Sequence, residues 1–182
     1  MNLPNKLTML RVLMIPFFVL FMLVPIFGEA DKYVAVGIFA VASLTDMLDG
    51  QIARRYNLVT NFGKFMDPLA DKLLVCSAMI CLIGDILPAW VVIVIISREL
   101  IISGFRTIAA DNGVVIAASW WGKYKTVSQM TMIILLILDW KFKWFIVLEY
   151  AFVYIALILT IISLVDYIVK NIGVLSDKKS EK

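Results

Sequence analysis

The chain has 182 residues, 62% of them hydrophobic and only 17% charged, and its mean hydropathy is +0.94. Soluble domains are about half apolar and about a quarter charged, so this composition excludes a soluble globular domain as well as a disordered chain. Histidine is absent, which removes Ser-His, Cys-His and His-zinc chemistry; the net charge of +3 is small and does not point to nucleic acid as a partner.

A bilayer-spanning helix needs about 20 residues, so six of them would take up roughly 120–130 and leave only short loops. The chain therefore reads as one all-α integral membrane domain over residues 1–182, with six transmembrane helices and no separate soluble domain. In chain order the spans fall at about 7–27, 32–54, 68–84, 88–109, 119–138 and 143–169. Breaks rich in Gly, Asn and Asp separate them, such as Gly28-Glu29-Ala30-Asp31, Asn57 to Gly63 and Asp111-Asn112-Gly113. The first span is too long for the core of a signal peptide and has no small-x-small site before Phe27, so it reads as retained. Ser176 to Lys182 forms a charged, frayed tail.

With six spans, both termini share one side of the membrane. Fourteen Lys and Arg residues fall on that side and only Lys32, Lys141 and Lys143 on the other. Basic residues favour the cytoplasmic face, so both termini are expected in the cytoplasm of a multi-pass cell-membrane protein, most simply a bacterial plasma membrane. Trp120, Trp121, Trp140 and Trp144 sit at span ends as interfacial anchors. Cys76 and Cys81 are five apart in an apolar run, a spacing that suits buried small hydrophobes and not a zinc site. Asp166 and Lys170, four apart, read as a helix-end ion pair.

Charges inside a span are costly and usually functional. The second span ends on Asp46-Met47-Leu48-Asp49-Gly50-Gln51-Ile52-Ala53-Arg54, and the third opens near Gly63-Lys64-Phe65-Met66-Asp67-Pro68-Leu69-Ala70-Asp71. Asp46 and Asp49 lie about 60° apart around a helix, and Asp67 and Asp71 about 40° apart, so each pair shares a face. Asp67 before Pro68 reads as an N-cap followed by an N1 proline. The short link makes the two helices antiparallel neighbours, with both pairs at the cytoplasmic end. Four carboxylates this close repel unless cations lie among them. Oxygen ligands without Cys or His select magnesium, manganese or calcium, and two such ions suit phosphoryl transfer. Gly50 allows close approach to the backbone, Ala53 allows close helix packing, and Arg54 is placed to clamp a phosphate.

From Asp46 to Asp71 the chain reads D-x2-D-G-x2-A-R-x8-G-x3-D-x3-D. This resembles the signature of the CDP-alcohol phosphatidyltransferases, and the resemblance extends to the length, the six spans and the N-terminal Pro4-Asn5-Lys6-Leu7-Thr8 followed by Arg11. Members are six-helix membrane enzymes of the CDP-alcohol phosphotransferase fold, generally homodimers, in which an alcohol displaces CMP from a CDP-linked lipid with the help of divalent metal. The resemblance implies two Mg2+ or Mn2+ ions on Asp46, Asp49, Asp67 and Asp71, with Asp71 also the base that deprotonates the acceptor. It implies that Gly50, Arg54, Thr60, Asn5 and Thr8 bind the CDP-diacylglycerol donor, and that Gly63 gives the backbone room in the link.

The signature does not identify the acceptor. Arg98-Glu99, Arg106 and Lys123-x-Lys125-Thr126 put further cations on the aspartate side, where a phosphorylated alcohol would need them. They resemble the phosphatidylglycerophosphate-forming bacterial members, which implies sn-glycerol 3-phosphate as acceptor, held by Arg98, Arg106, Lys123 and Lys125. Three alternatives stand beside this: headgroup snorkelling for the lysines, pairing of Arg98 with Glu99 or an aspartate, and another acceptor such as inositol phosphate, serine or phosphatidylglycerol. From a different class, a cation carrier would spread its carboxylates along a pathway.

Overall fold

The computed structural model describes residues 2–55, 60–111, 116 and 119–172; within these, the side chains of residues 3, 4, 47–55, 61, 62, 64, 65 and 111 lie outside the description. Six α-helices follow one another: α1 Leu3–Leu23, α2 Asp31–Arg55, α3 Asn61–Cys81, α4 Ala89–Asp111, α5 Trp120–Leu138 and α6 Lys143–Asn171. No strand occurs among the described residues. Two helices among them, over Asn5–Leu23 and Lys143–Asn171, are long and apolar enough to cross a membrane. The other four carry the charged residues singled out above, which lowers their hydropathy without shortening them. Leu13, Phe17 and Leu20 on α1 and Val147, Ile158, Val165 and Val169 on α6 are exposed, a surface suited to hydrocarbon rather than water.

The helix limits follow local chemistry. Between α1 and α2 the chain turns through Gly28, whose φ of 68° is open to glycine at little cost. The Asp31 carboxylate then accepts the backbone N–H of Ile26 (2.8 Å) and of Phe27 (3.0 Å), tying the turn to the start of α2. α3 begins earlier than the sequence suggested. Its N-cap is Thr60, whose Oγ1 accepts the N–H of Gly63 (3.0 Å). Asp67 is therefore not an N-cap and Pro68 not an N1 residue; both lie inside α3. A capping threonine seven residues upstream of Asp67 outweighs the proline signal and frees the Asp67 carboxylate for other work.

The chain divides into two compact units. The first comprises Met1–Ile83 with Ile133–Trp140. In it α1, α2 and α3 pack on one another around Phe18, Ala35, Phe39, Ala42, Ala70, Leu74 and Ala78. The alanines are small enough to bring helix backbones close, and Phe18 meets Phe39 at 6.0 Å between ring centroids. The buried stripe on α2, Ala35-Phe39-Ala42, continues at helical spacing to the half-buried Asp46, and on α3 the half-buried Asp67 lies in register with the buried Gly63, Ala70, Leu74 and Ala78. The periodicity that packs each helix thus also aims its aspartate inward.

The second unit comprises Gly84–Met132 with Lys141–Lys182. Here α4 packs against α6, with Ile102, Phe105 and Tyr167 buried and the Phe105 and Tyr167 rings edge to face at 5.7 Å. Cys76 and Cys81 form no disulfide and are only half-buried, because each falls beside rather than on the buried stripe of α3. Asp166 and Lys170 form the expected ion pair, and all four span-end tryptophans are exposed.

Candidate active site

In the first unit, three polar residues of α1 at intervals of three, Asn5, Thr8 and Arg11, are buried on one face. Each reaches a different part of the aspartate motif. Asn5 Oδ1 accepts the hydroxyl of Thr60 (2.9 Å), the residue that caps α3. Thr8 Oγ1 donates to Asp67 Oδ1 (2.5 Å). Arg11, wholly buried, places Nη1 2.8 Å from Asp46 Oδ1 and donates from Nε to the carbonyl of Ala42 (3.1 Å), one turn before Asp46.

Gly63 sits where these contacts converge. A Cβ there would lie 3.2 Å from Asn5 Oδ1, 3.3 Å from Thr60 Oγ1 and 3.4 Å from Asp67 Oδ2. The expectation that Gly63 gives room stands, although it lies in the first turn of α3 and not in a link.

Asp67 and Asp71 both lie close enough to Asp46 for their charges to act on its carboxylate. Among the described residues no three such side chains form a ready-made metal cage, and Asp49, the motif's fourth acid, lies outside the described side chains, as do Gly50 and Arg54. The donor chemistry nevertheless fits a hard divalent cation. It is all carboxylate oxygen, and Asp46 and Asp67 each have one oxygen oriented by α1.

The second unit holds the predicted acceptor cations. Glu99 Oε1 takes both Arg98 Nη1 (2.9 Å) and Lys125 Nζ (2.5 Å). Arg98 also donates from Nε to Ser163 Oγ (3.2 Å), and both cations are buried. Glu99 thus bridges the two cations. The pairing of Arg98 with Glu99, an alternative in the sequence, is therefore present, but it joins Arg98 to Lys125 instead of cancelling it. Lys123 Nζ lies 4.1 Å from the centroid of the Trp120 ring, and the Arg106 guanidinium 5.8 Å from that of Tyr167, both cation–π contacts.

From sequence, Arg11 entered only as part of the N-terminal resemblance, Glu99 only as a rival partner of Arg98, and Ser163 not at all. For Arg11 a signal was available: a cation within an apolar helix, in register with Asn5 and Thr8 at three-residue intervals. Ser163 gave none, since a serine in an apolar helix satisfies itself by bonding back to its own backbone, as Ser163 also does to Thr160.

A model of the CDP-alcohol phosphatidyltransferase family matches residues 1–162. The CDP-diacylglycerol–glycerol-3-phosphate 3-phosphatidyltransferase of Bacillus subtilis is 49% identical over 148 residues, covering 75% of this chain and 77% of the relative. The protein of the same name from Haemophilus influenzae is 40% identical over 182 residues, covering 97% and 96%. A probable phosphatidylglycerophosphate synthase of Mycobacterium tuberculosis is 42% identical over 178 residues, covering 93% and 81%. With its helical architecture, its aspartates gathered in one unit and these relatives, the chain belongs to the CDP-alcohol phosphatidyltransferase family of enzymes.

Proposed function

We propose that the protein transfers the phosphatidyl group of CDP-diacylglycerol to sn-glycerol 3-phosphate, giving phosphatidylglycerophosphate and CMP in phospholipid synthesis. The observation that carries this is that Asp67 and Asp71 both lie near Asp46, in a chain 40% identical over 97% of its length to a relative named for that reaction. A cation carrier would string such acids along a pathway, whereas these gather about Asp46.

Asp46, Asp49, Asp67 and Asp71 would hold two ions, Mg2+ or Mn2+, whose positive charge stabilises the donor diphosphate and its developing leaving-group charge. Gly50 leaves space for the cytidine portion, and Arg54 supplies a fork for a phosphate. Arg98 and Lys125, with Arg106 and Lys123, are assigned to the acceptor phosphate on the charge chemistry of that group. Asp71 takes the proton of the acceptor's 1-hydroxyl. The freed oxygen bonds to the phosphatidyl phosphorus as its anhydride bond to CMP breaks, and CMP leaves with the electron pair. All six helices cross the membrane as a single domain, both termini and the site face the cytoplasm by the Lys and Arg asymmetry, and the enzyme works as a homodimer among membrane lipids.

A two-substrate kinetic matrix tests this reading. The wild-type protein should release CMP from CDP-diacylglycerol only when an acceptor is supplied, and glycerol 3-phosphate should serve. Lys125→Ala removes one charged contact while Glu99 keeps Arg98. Losing a hydrogen bond to a charged group costs about 1.5–3 kcal/mol, so the KM for glycerol 3-phosphate should rise roughly 10- to 150-fold. The donor KM should stay near its wild-type value. A raised donor KM would show that the assignment is to the wrong phosphate.

A further inference from the structure

We propose that α1 is the positioning element of the carboxylate site: Thr8 orients Asp67 and Arg11 orients Asp46. The proposal rests on the reading of these aspartates as metal-facing, and it gives Thr8 a different task from donor binding. Thr8 is wholly buried, and its hydroxyl donates to one oxygen of Asp67. The other oxygen of Asp67 lies toward Gly63, at an ordinary contact distance of 3.4 Å from where a Cβ would stand. The carboxylate is thus pinned at one oxygen, which leaves the other for a cation.

Arg11 does the same for Asp46 by a two-point anchor. Nη1 meets Oδ1 of Asp46, while Nε is fixed on the Ala42 carbonyl of the same helix, so the guanidinium cannot swing without breaking a buried hydrogen bond. A lysine could supply the charge but not the second anchor. The neighbouring Asn5 ties α1 to the cap of α3 through Thr60, which keeps Thr8 and Asp67 in register. Three residues at three-residue spacing therefore hold one helix cap and two acids, and none of the three needs to touch a substrate.

Partners that orient metal ligands through a hydrogen bond typically govern metal affinity by about 10- to 100-fold. The test is Mn2+ binding, followed by electron paramagnetic resonance on the purified, monodisperse protein without donor lipid or acceptor. Thr8→Val keeps the shape and removes the hydroxyl; its Mn2+ Kd should rise about 10- to 100-fold. Thr8→Ser restores the donor and should return the Kd to near the wild-type value. Arg11→Lys keeps the charge, loses the Ala42 anchor and should also weaken Mn2+. If Thr8→Val fails to yield folded protein, the Arg11→Lys result decides. Should the variants bind Mn2+ as tightly as wild type, the positioning role is overturned while the metal reading survives. Should the wild-type protein bind no Mn2+, both fall. Loss of Mn2+ affinity in Thr8→Val with recovery in Thr8→Ser supports the proposal.

Discussion

Asp71→Asn is expected to lower kcat by a factor of about 10²–10⁴, and to do so even at saturating acceptor, because it removes the proposed general base. The variant is nearly isosteric, so helix α3 and its packing should be preserved. An amide, however, cannot take the acceptor proton and is a poorer ligand for a hard cation. Asp71 lies one turn beyond Asp67 on α3, and its charge reaches Asp46. The control is Asp166→Asn. Asp166, itself mostly buried, pairs with a largely exposed Lys170 four residues on and lies on α6, outside the aspartate motif. Steady-state CMP release by both variants, with folding followed by size exclusion in detergent, separates a catalytic acid from a structural one. Wild-type turnover in Asp71→Asn would remove it from the mechanism.

Chelation is expected to have the other large effect. With EDTA in excess, CMP release should stop altogether, and Mg2+ or Mn2+ added beyond the chelator should restore it. The reason lies in the donor set: four acids within one short motif, all oxygen, with no histidine in the chain and no cysteine nearer than Cys76. Arg11 pairs with Asp46, and a divalent cation would offset the repulsion among the acids gathered around it. Undiminished turnover in chelator would contradict the metal reading.

The six helices were legible because each is a long apolar run ended by Gly, Asn or Asp, and the observed limits fall within a few residues of the expected ones for five of them. The exception is the start of α3. Asp67-Pro68 carries a strong local signal for a helix start, but Thr60 caps the chain earlier and the helix runs through the proline. The aspartate motif was legible as well, since its spacing alone puts the acids on shared faces. What sequence could not supply is pairing across helices. Thr8 and Asp67 are 59 positions apart, and Glu99 and Lys125 26 apart. Contacts of that kind depend on how helices dock, not on a local period. The same holds for Arg98, whose rival partners could be named beforehand but whose place between Glu99 and Ser163 could not.

The central claim is the transfer itself, and one measurement addresses it most directly. Purified protein in mixed micelles receives CDP-diacylglycerol and Mg2+ with glycerol 3-phosphate, serine, inositol phosphate and phosphatidylglycerol together at equal concentration, and the lipid products are resolved by mass. The predicted result is phosphatidylglycerophosphate as the dominant new lipid, formed mole for mole with CMP and absent without Mg2+. A dominant product from another acceptor, or CMP release with no glycerol 3-phosphate incorporated, would contradict it.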